Sequence, residues 1–220
     1  MHAQTLEATD WWARPRGATS ANWIANYQRS LQTRHRTAIA AIVQALGAST
    51  VLEVGCHCGP NLVRLAQADP ALQAIGIDAN AEAVAAGQAW VAAQGYADRI
   101  TLQVGRIPDA LLATPSGVCD VVLSCYTLAY LAPADLDAAL YELGRLARRA
   151  VVIAEPMRLG DGPQPVTRAL TGYSEWTHDY QEATRWIGSF AGMTRRIVPI
   201  VPPVDHLTAI LVLERGADAP

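Results

Sequence analysis

The sequence predicts an α/β fold: a mostly parallel sheet of seven strands, helices on both faces, and an antiparallel pair at one edge. Three observations carry this. From residue 50 onward, short runs that are apolar throughout alternate with helical segments, the pattern of strands buried on both faces. The first such run enters a glycine-bearing turn and then a helix, the strand-turn-helix unit of a parallel sheet. The last two runs are joined only by a short link beginning Pro202-Pro203, too short for a crossover helix, so they pair antiparallel.

Composition sets the bounds. With 220 residues, 51% hydrophobic and 17% charged, the chain has ample apolar surface to form one folded domain with a small appendage. A net charge of -3 argues against a nucleic-acid coat or a polybasic membrane anchor. All 17 basic residues are Arg, which excludes lysine Schiff-base chemistry, a Walker-type phosphate lysine and pyridoxal-phosphate attachment. The cysteines, at 56, 58, 119 and 125, form no CxxC pair, so neither a disulfide scaffold nor a structural zinc site is expected. Residues 1–10 lack the features of a signal peptide and no run of 18 apolar residues occurs, so a cytoplasmic location is expected.

Residues 1–49 form an N-terminal extension with a net charge of +3 and half of the six tryptophans, Trp11, Trp12 and Trp23. A loop with Pro15 and Gly17 leads into a helix predicted from about Ser20 to Leu46, stopped at Gly47. The main domain, 50–215, opens with a strand at Thr50–Val54 and a short helix from Asn61 to Ala68. A second strand, Leu72–Ile77, ends in Asp78; Asn80 is the expected N-cap of an Ala-rich helix running to Gly95. Strands at Arg99–Val104 and Val118–Ser124 follow, then a helix over Pro133–Arg149 and a fifth strand at Ala150–Ala154. A Gly/Pro-rich loop at 156–165 precedes a helix across His178 to Phe190. Strands at Arg195–Val201 and Leu207–Leu213 close the domain, and 216–220 is a loose tail.

Ligands of open α/β sheets bind at the carboxyl ends of the strands, which directs attention to the turn Glu53-Val54-Gly55-Cys56-His57-Cys58-Gly59. Its GxxxG spacing is not the GxGxxG of a dinucleotide turn. It resembles motif I of the class I S-adenosylmethionine (SAM)-dependent methyltransferases, acidic-x-Gly-x-Gly-x-Gly, on Glu53, Gly55 and Gly59, with His57 in place of the middle glycine. Asp78 follows 25 residues after Glu53, where a carboxylate can accept hydrogen bonds from both ribose hydroxyls. Gly105-Arg106-Ile107 stands where the family commonly has Gly-Asp; Cys119–Ser124, with Asp120, matches motif IV, and Val151–Pro156 resembles the motif after strand five. The resemblance covers about residues 50–215 and implies a Rossmann-like fold with a helical N-terminal lid, SAM as cofactor and its demethylated product S-adenosylhomocysteine (SAH).

What the resemblance implies for individual residues follows. Glu53, Gly55, Cys56, Gly59, Asp78, Ala79, Arg106, Ile107, Ser124, Cys125 and Tyr126 are the expected cofactor contacts. Trp23, Tyr27, Tyr130, Trp176 and His178 are the expected acceptor contacts, with His178 and Tyr126 as catalytic candidates, His178 as a base. Each has a plainer reading: Trp176 and Tyr180 as core, His178-Asp179 as a helix start, Tyr126 and Tyr130 as packing. Arg34-His35-Arg36 is either a solvated helix face or an anion site on the acceptor. Cys56, His57, Cys58 and Cys125 are inert core or, less commonly, a soft-metal site, and no metal is expected. The acceptor is expected to be a small molecule, because little beyond a catalytic core is present and no basic nucleic-acid module is seen. Two other readings stay open: a domain that binds SAM without turnover, and an NAD-dependent dehydrogenase.

Overall fold

The computed structural model describes residues 8–14, 18–157, 166–170, 173–204 and 207–216. Much of the expected 156–165 loop, the Pro15–Gly17 segment and most of the expected tail lie outside the described residues. Seven strands form the main sheet: β1 (Thr50–Val54), β2 (Gln73–Asp78), β3 (Ile100–Val104), β4 (Cys119–Cys125), β5 (Ala147–Ala154), and the long pair β8 (Thr194–Val204) and β9 (Leu207–Glu214). Their order is β3-β2-β1-β4-β5-β9-β8. The first five are parallel, and β9 runs antiparallel between β5 and β8. The order reverses between β1 and β4, so the carboxyl ends of β1, β2 and β4 open onto a crevice.

The central strands are continuously apolar because successive side chains enter two different cores. Val51, Val121 and Val152 face one core with Ile39, Leu62 and Leu65; Leu52, Val122 and Val151 face the other with Leu140, Leu143 and Phe190. The first core is covered by α3 (Arg34–Ala45), α4 (Pro60–Ala68) and α5 (Ala81–Ala93); the second by α7 (Pro133–Leu146) and α8 (Tyr180–Trp186). Local chemistry sets several boundaries as expected. The Asn80 side chain accepts from Ala83 N at 3.1 Å and caps α5. Gly47, at φ 60, ends α3, donating to Gln44 O while Ala48 N reaches Val43 O, the paired bonds of a Schellman stop.

Four expectations are corrected. The long N-terminal helix is two: α2 (Ala18–Arg29) and α3, separated by a turn in which Ser30 Oγ donates to Tyr27 O at 2.7 Å and competes with helix continuation. A further helix, α1 (Ala8–Ala13), precedes them, and a short one, α6 (Asp109–Leu112), follows β3. Strand β5 starts at Ala147 rather than Ala150, because Ala147 pairs with Cys119 beside a register shift and Arg148 is drawn to Asp120. The segment before α8 is a separate antiparallel hairpin, β6 (Val166–Leu170) with β7 (Tyr173–Thr177), so the predicted helix across His178–Phe190 shrinks to Tyr180–Trp186 plus a 3-10 turn. Asp179 caps that helix, accepting from Glu182 N at 3.0 Å.

Candidate functional site

The turn after β1 is fixed by its backbone. Gly55 N and Cys56 N both donate to Ile77 O, at 2.7 and 3.1 Å, which locks the end of β1 to β2. Gly55 sits at φ 69, and a Cβ there would fall 1.8 Å from Thr127 Oγ1, so no other residue fits. His57, standing where the resemblance expects the middle glycine, takes the left-handed conformation itself, at φ 49. The substitution therefore keeps the glycine-like path at the strain of an L-residue in that region. Its N–H donates to Asp78 Oδ2 at 2.7 Å, and its ring lies 4.6 Å from that of Tyr27. Gly59 opens α4 as its N-cap at φ 79 and lies outside the cavity described below.

The loop after β4 is shaped by a buried carboxylate. Glu155, fully buried at the end of β5, accepts from Ser124 Oγ at 2.6 Å, Thr127 N at 2.8 Å and Leu128 N at 3.1 Å on Oε1, and from Ala129 N at 3.3 Å on Oε2. Those bonds hold the 3-10 turn Leu128–Tyr130 and the preceding Tyr126, whose φ is 53. Burial outweighs the donors and pushes the Glu155 carboxyl up to about 7. Ser124, expected to touch a cofactor, is spent on Glu155 and does not line the cavity.

A cavity of about 320 Å³ lies at the carboxyl edge, in the crevice the strand order creates. Of the expected cofactor contacts, it brings together Glu53, Gly55, Cys56, Asp78, Ala79, Arg106, Ile107, Cys125 and Tyr126; of the expected acceptor contacts, Tyr27 and Tyr130. Trp23 stands one layer back, its ring 4.7 Å from that of Trp12, which does line the cavity. Trp12 also packs 5.2 Å from Tyr130, and its carbonyl accepts from Asn80 Nδ2 at 3.0 Å. Arg106 reaches Asp10 at 2.6 Å and so ties the β3 loop to α1. The N-terminal helices thus cover the opening, pinned to β2 and β3 loops.

Trp176 and His178 are not on the cavity. Alternation along β7 sends Glu175 toward it and Trp176 to the opposite face, where Trp176 stacks on His178 at 6.3 Å. His178 is 1% exposed, and its Nε2 donates to Leu131 O at 3.1 Å behind the cavity wall. Burial lowers its affinity for a proton. Buried and off the cavity, it lacks the access that a base requires.

Several lining residues went unassigned by the sequence: Arg36, Asn61, Thr127 and Glu175 among them. Arg34 is exposed, whereas His35 and Arg36 turn inward at 7% and 4% exposure, so the basic run is neither wholly solvated nor one site. Arg36 donates to Ser30 O at 3.1 Å and to Asn61 Oδ1 at 2.6 Å; Asn61 Nδ2 in turn donates to Glu53 Oε1 at 2.5 Å. The other Glu53 oxygen is buried without a partner. Burial pushes Glu53 up to about 7, against the pull of Asn61 and Arg36. Asp78, which accepts from Asn80 N at 2.8 Å as well as from His57, is also raised by burial. Burial lowers His57 to about 4, and Arg36 adds to the effect. The Cys56 and Cys125 thiols are pushed up by burial, Cys125 to about 12, so both pack as neutral groups. Among the described residues no group of three His, Cys, Asp or Glu side chains is arranged to hold a metal.

Residues 51–150 match the family model described as a methyltransferase domain. No curated protein matches the chain. Magnesium protoporphyrin IX methyltransferase (ChlM) from Synechocystis PCC 6803, solved with bound SAM, aligns over 98% of this chain and 100% of its own, at 18% identity and a TM-score of 0.65. An O-methyltransferase family 2 protein from Planctomyces limnophilus, in complex with apigenin, aligns over 93% of this chain and 63% of its own, at 14% identity and a TM-score of 0.64. Those two likenesses establish the fold. The match to a methyltransferase domain lies within that fold and runs from β1 into β5.

Proposed function

We propose that the protein transfers the methyl group of SAM to a small-molecule acceptor. One observation carries the reading: a single cavity gathers the carboxyl ends of β1, β2, β3 and β4 under an aromatic cover. The residues fit the cofactor. Each Asp78 oxygen takes one backbone N–H and keeps a lone pair for a ribose hydroxyl. The Gly55 backbone lines the cavity where no Cβ fits, and the partnerless Glu53 oxygen needs a donor, which an amino group supplies. When bound, SAM supplies an electrophilic methyl group on a sulfonium, so alignment and proximity carry much of the catalysis.

The chain's own residues have three tasks. Glu53, Asp78 and the Ala79, Arg106 and Ile107 walls hold the cofactor. Tyr126 and Tyr130 turn aromatic rings to the reacting end, where a ring face favours positive charge. Trp12 and Tyr27 exclude water as part of the cover. His178 serves as a positioning group behind Leu131, and Tyr126 remains the catalytic candidate.

Thermal unfolding with SAM, SAH and NAD, on wild type and Asp78→Ala, tests the reading. Ligand at 100 times its dissociation constant adds about 2.7 kcal/mol, roughly 5–10 °C for a chain of this size. Both adenosyl ligands are expected to shift wild type, and neither to shift a folded Asp78→Ala variant. No shift in folded, ligand-free wild type overturns the reading. A shift with NAD alone replaces it with a dehydrogenase, and binding without transfer to any acceptor class leaves a non-catalytic SAM-binding domain.

A further inference from the structure

One group in the cavity has no task in the chemistry above. Glu175, on β7, is 8% exposed and lines the cavity from the hairpin inserted after β5. Every other carboxyl group on the cavity has a partner: Asp78 takes two backbone N–H groups, and Glu53 takes Asn61. The cations are committed elsewhere, Arg106 to Asp10 and Arg36 to Ser30 and Asn61. Among the described residues, no hydrogen bond or ion pair reaches Glu175. Its carboxyl group therefore keeps its acceptor lone pairs free for a donor on a ligand in the cavity.

Its neighbours narrow the ligand. Strand β7 packs against the 3-10 turn Leu128–Tyr130 and against α1, so Glu175 shares its end of the cavity with Trp12, Tyr130 and Leu131. Asp78, Gly105 and Arg106 come from β2 and the β3 loop, on the other side of β1 in the sheet order. A carboxylate beside aromatic faces is chemistry for a protonated nitrogen: the carboxylate takes its N–H donors, and the rings favour its charge.

We propose that Glu175 binds a cationic nitrogen of the acceptor, which makes the acceptor a compact amine with an aromatic or apolar body. This rests on the methyltransferase reading above. The cofactor's sulfonium is the other cation that the same carboxylate would attract, and the test separates the two.

The experiment is calorimetric titration of the SAH-saturated protein with three matched probes: tyramine, the neutral 4-ethylphenol and the anionic 4-hydroxyphenylacetate. Wild type is expected to bind tyramine roughly tenfold or more tightly than 4-ethylphenol, the scale of a charged hydrogen bond, and the acid least of all. In Glu175→Gln that preference falls to within about twofold, while SAH affinity holds. Arg168 stands opposite Glu175 in the hairpin register, so Arg168→Met is the control and keeps the preference. Equal binding of the probes, preference for the acid, no binding of any probe, or a preference that survives Glu175→Gln overturns the inference and leaves the methyltransferase reading intact. A loss of SAM but not SAH affinity in Glu175→Gln assigns the carboxylate to the sulfonium and also overturns it. Should Glu175→Gln not fold, the wild-type probe series decides alone. Failure of SAH to bind wild type removes both readings.

Discussion

The two ends of β4 solve the same problem in opposite ways. At the amino end, Asp120 is surrounded by donors: Ser49 N and Oγ at 2.8 Å, Thr50 N at 3.0 Å and Arg148 at 3.0 Å. Burial works against its charge, but these donors win and hold its carboxyl well below the usual range. At the carboxyl end, Glu53 and Glu155 keep raised values near 7, one Glu53 oxygen lacks a partner, and two non-glycine residues, His57 and Tyr126, sit in the left-handed region. The amino end is completed for stability. The carboxyl end is left strained and under-satisfied, as a ligand site is.

The comparison breaks hardest at Gly55. Gly55→Val places a Cβ into Thr127 and a β-branched residue at positive φ, and is expected to destabilise by about 3 kcal/mol or more with loss of SAH binding. Urea unfolding and calorimetry measure both; a change below about 1 kcal/mol would show that the turn is not held as described.

Asp120→Ala comes next, at about 2–4 kcal/mol, because four donors lose one acceptor. SAH affinity is expected to hold within about twofold, since Asp120 lies at the far edge of the sheet. The pH sign follows from a folded value below the ordinary 3.8. The advantage of wild type over the variant is full above that ordinary value and is lost as pH falls through the depressed one.

Glu53→Gln tests the opposite slope. The raised value means that ionising Glu53 opposes folding, so the contribution of the neutral acid is full below 4.5 and is lost as pH rises through about 7. Relative to Glu53→Gln, wild type is expected to lose about 1–3 kcal/mol between pH 5 and pH 8. Denaturation of both proteins at the two pH values checks it, and a flat difference would mean that Glu53 is charged and paired throughout.

The smallest effect is expected at His57. His57→Gly relieves the left-handed strain and removes the ring packed on Tyr27, two terms of about 1 kcal/mol that oppose each other. Stability is expected to change by less than about 1 kcal/mol, and SAH affinity by less than about threefold. A larger loss of affinity would make the imidazole a direct contact of the cofactor.

The legible parts of this molecule were those set by near neighbours in the chain. Gly47 and Asn80 mark helix ends through bonds that span only a few residues, and Glu53, Gly55 and Asp78 sit at strand ends fixed by the strand-turn-helix pattern. The β6–β7 hairpin escaped because its strands pair only with each other and one flank falls in a Gly/Pro-rich stretch. The resemblance puts Trp176 and His178 on the acceptor side of the site, whereas the alternation along β7 brings Glu175 to the cavity instead.

By itself, the sequence determined the α/β class, the sheet with its antiparallel closing pair, and the position of the glycine-bearing turn, because periodicity and backbone chemistry act over a few residues. Only the tertiary structure decided which side chains share the cavity. Arg36 turns inward because Asn61, 25 positions later, meets it, and His178 is withdrawn because Leu131 O, 47 positions earlier, takes its N–H. Such partners are chosen by how helices and loops dock on the sheet, and no local pattern in the chain encodes that docking.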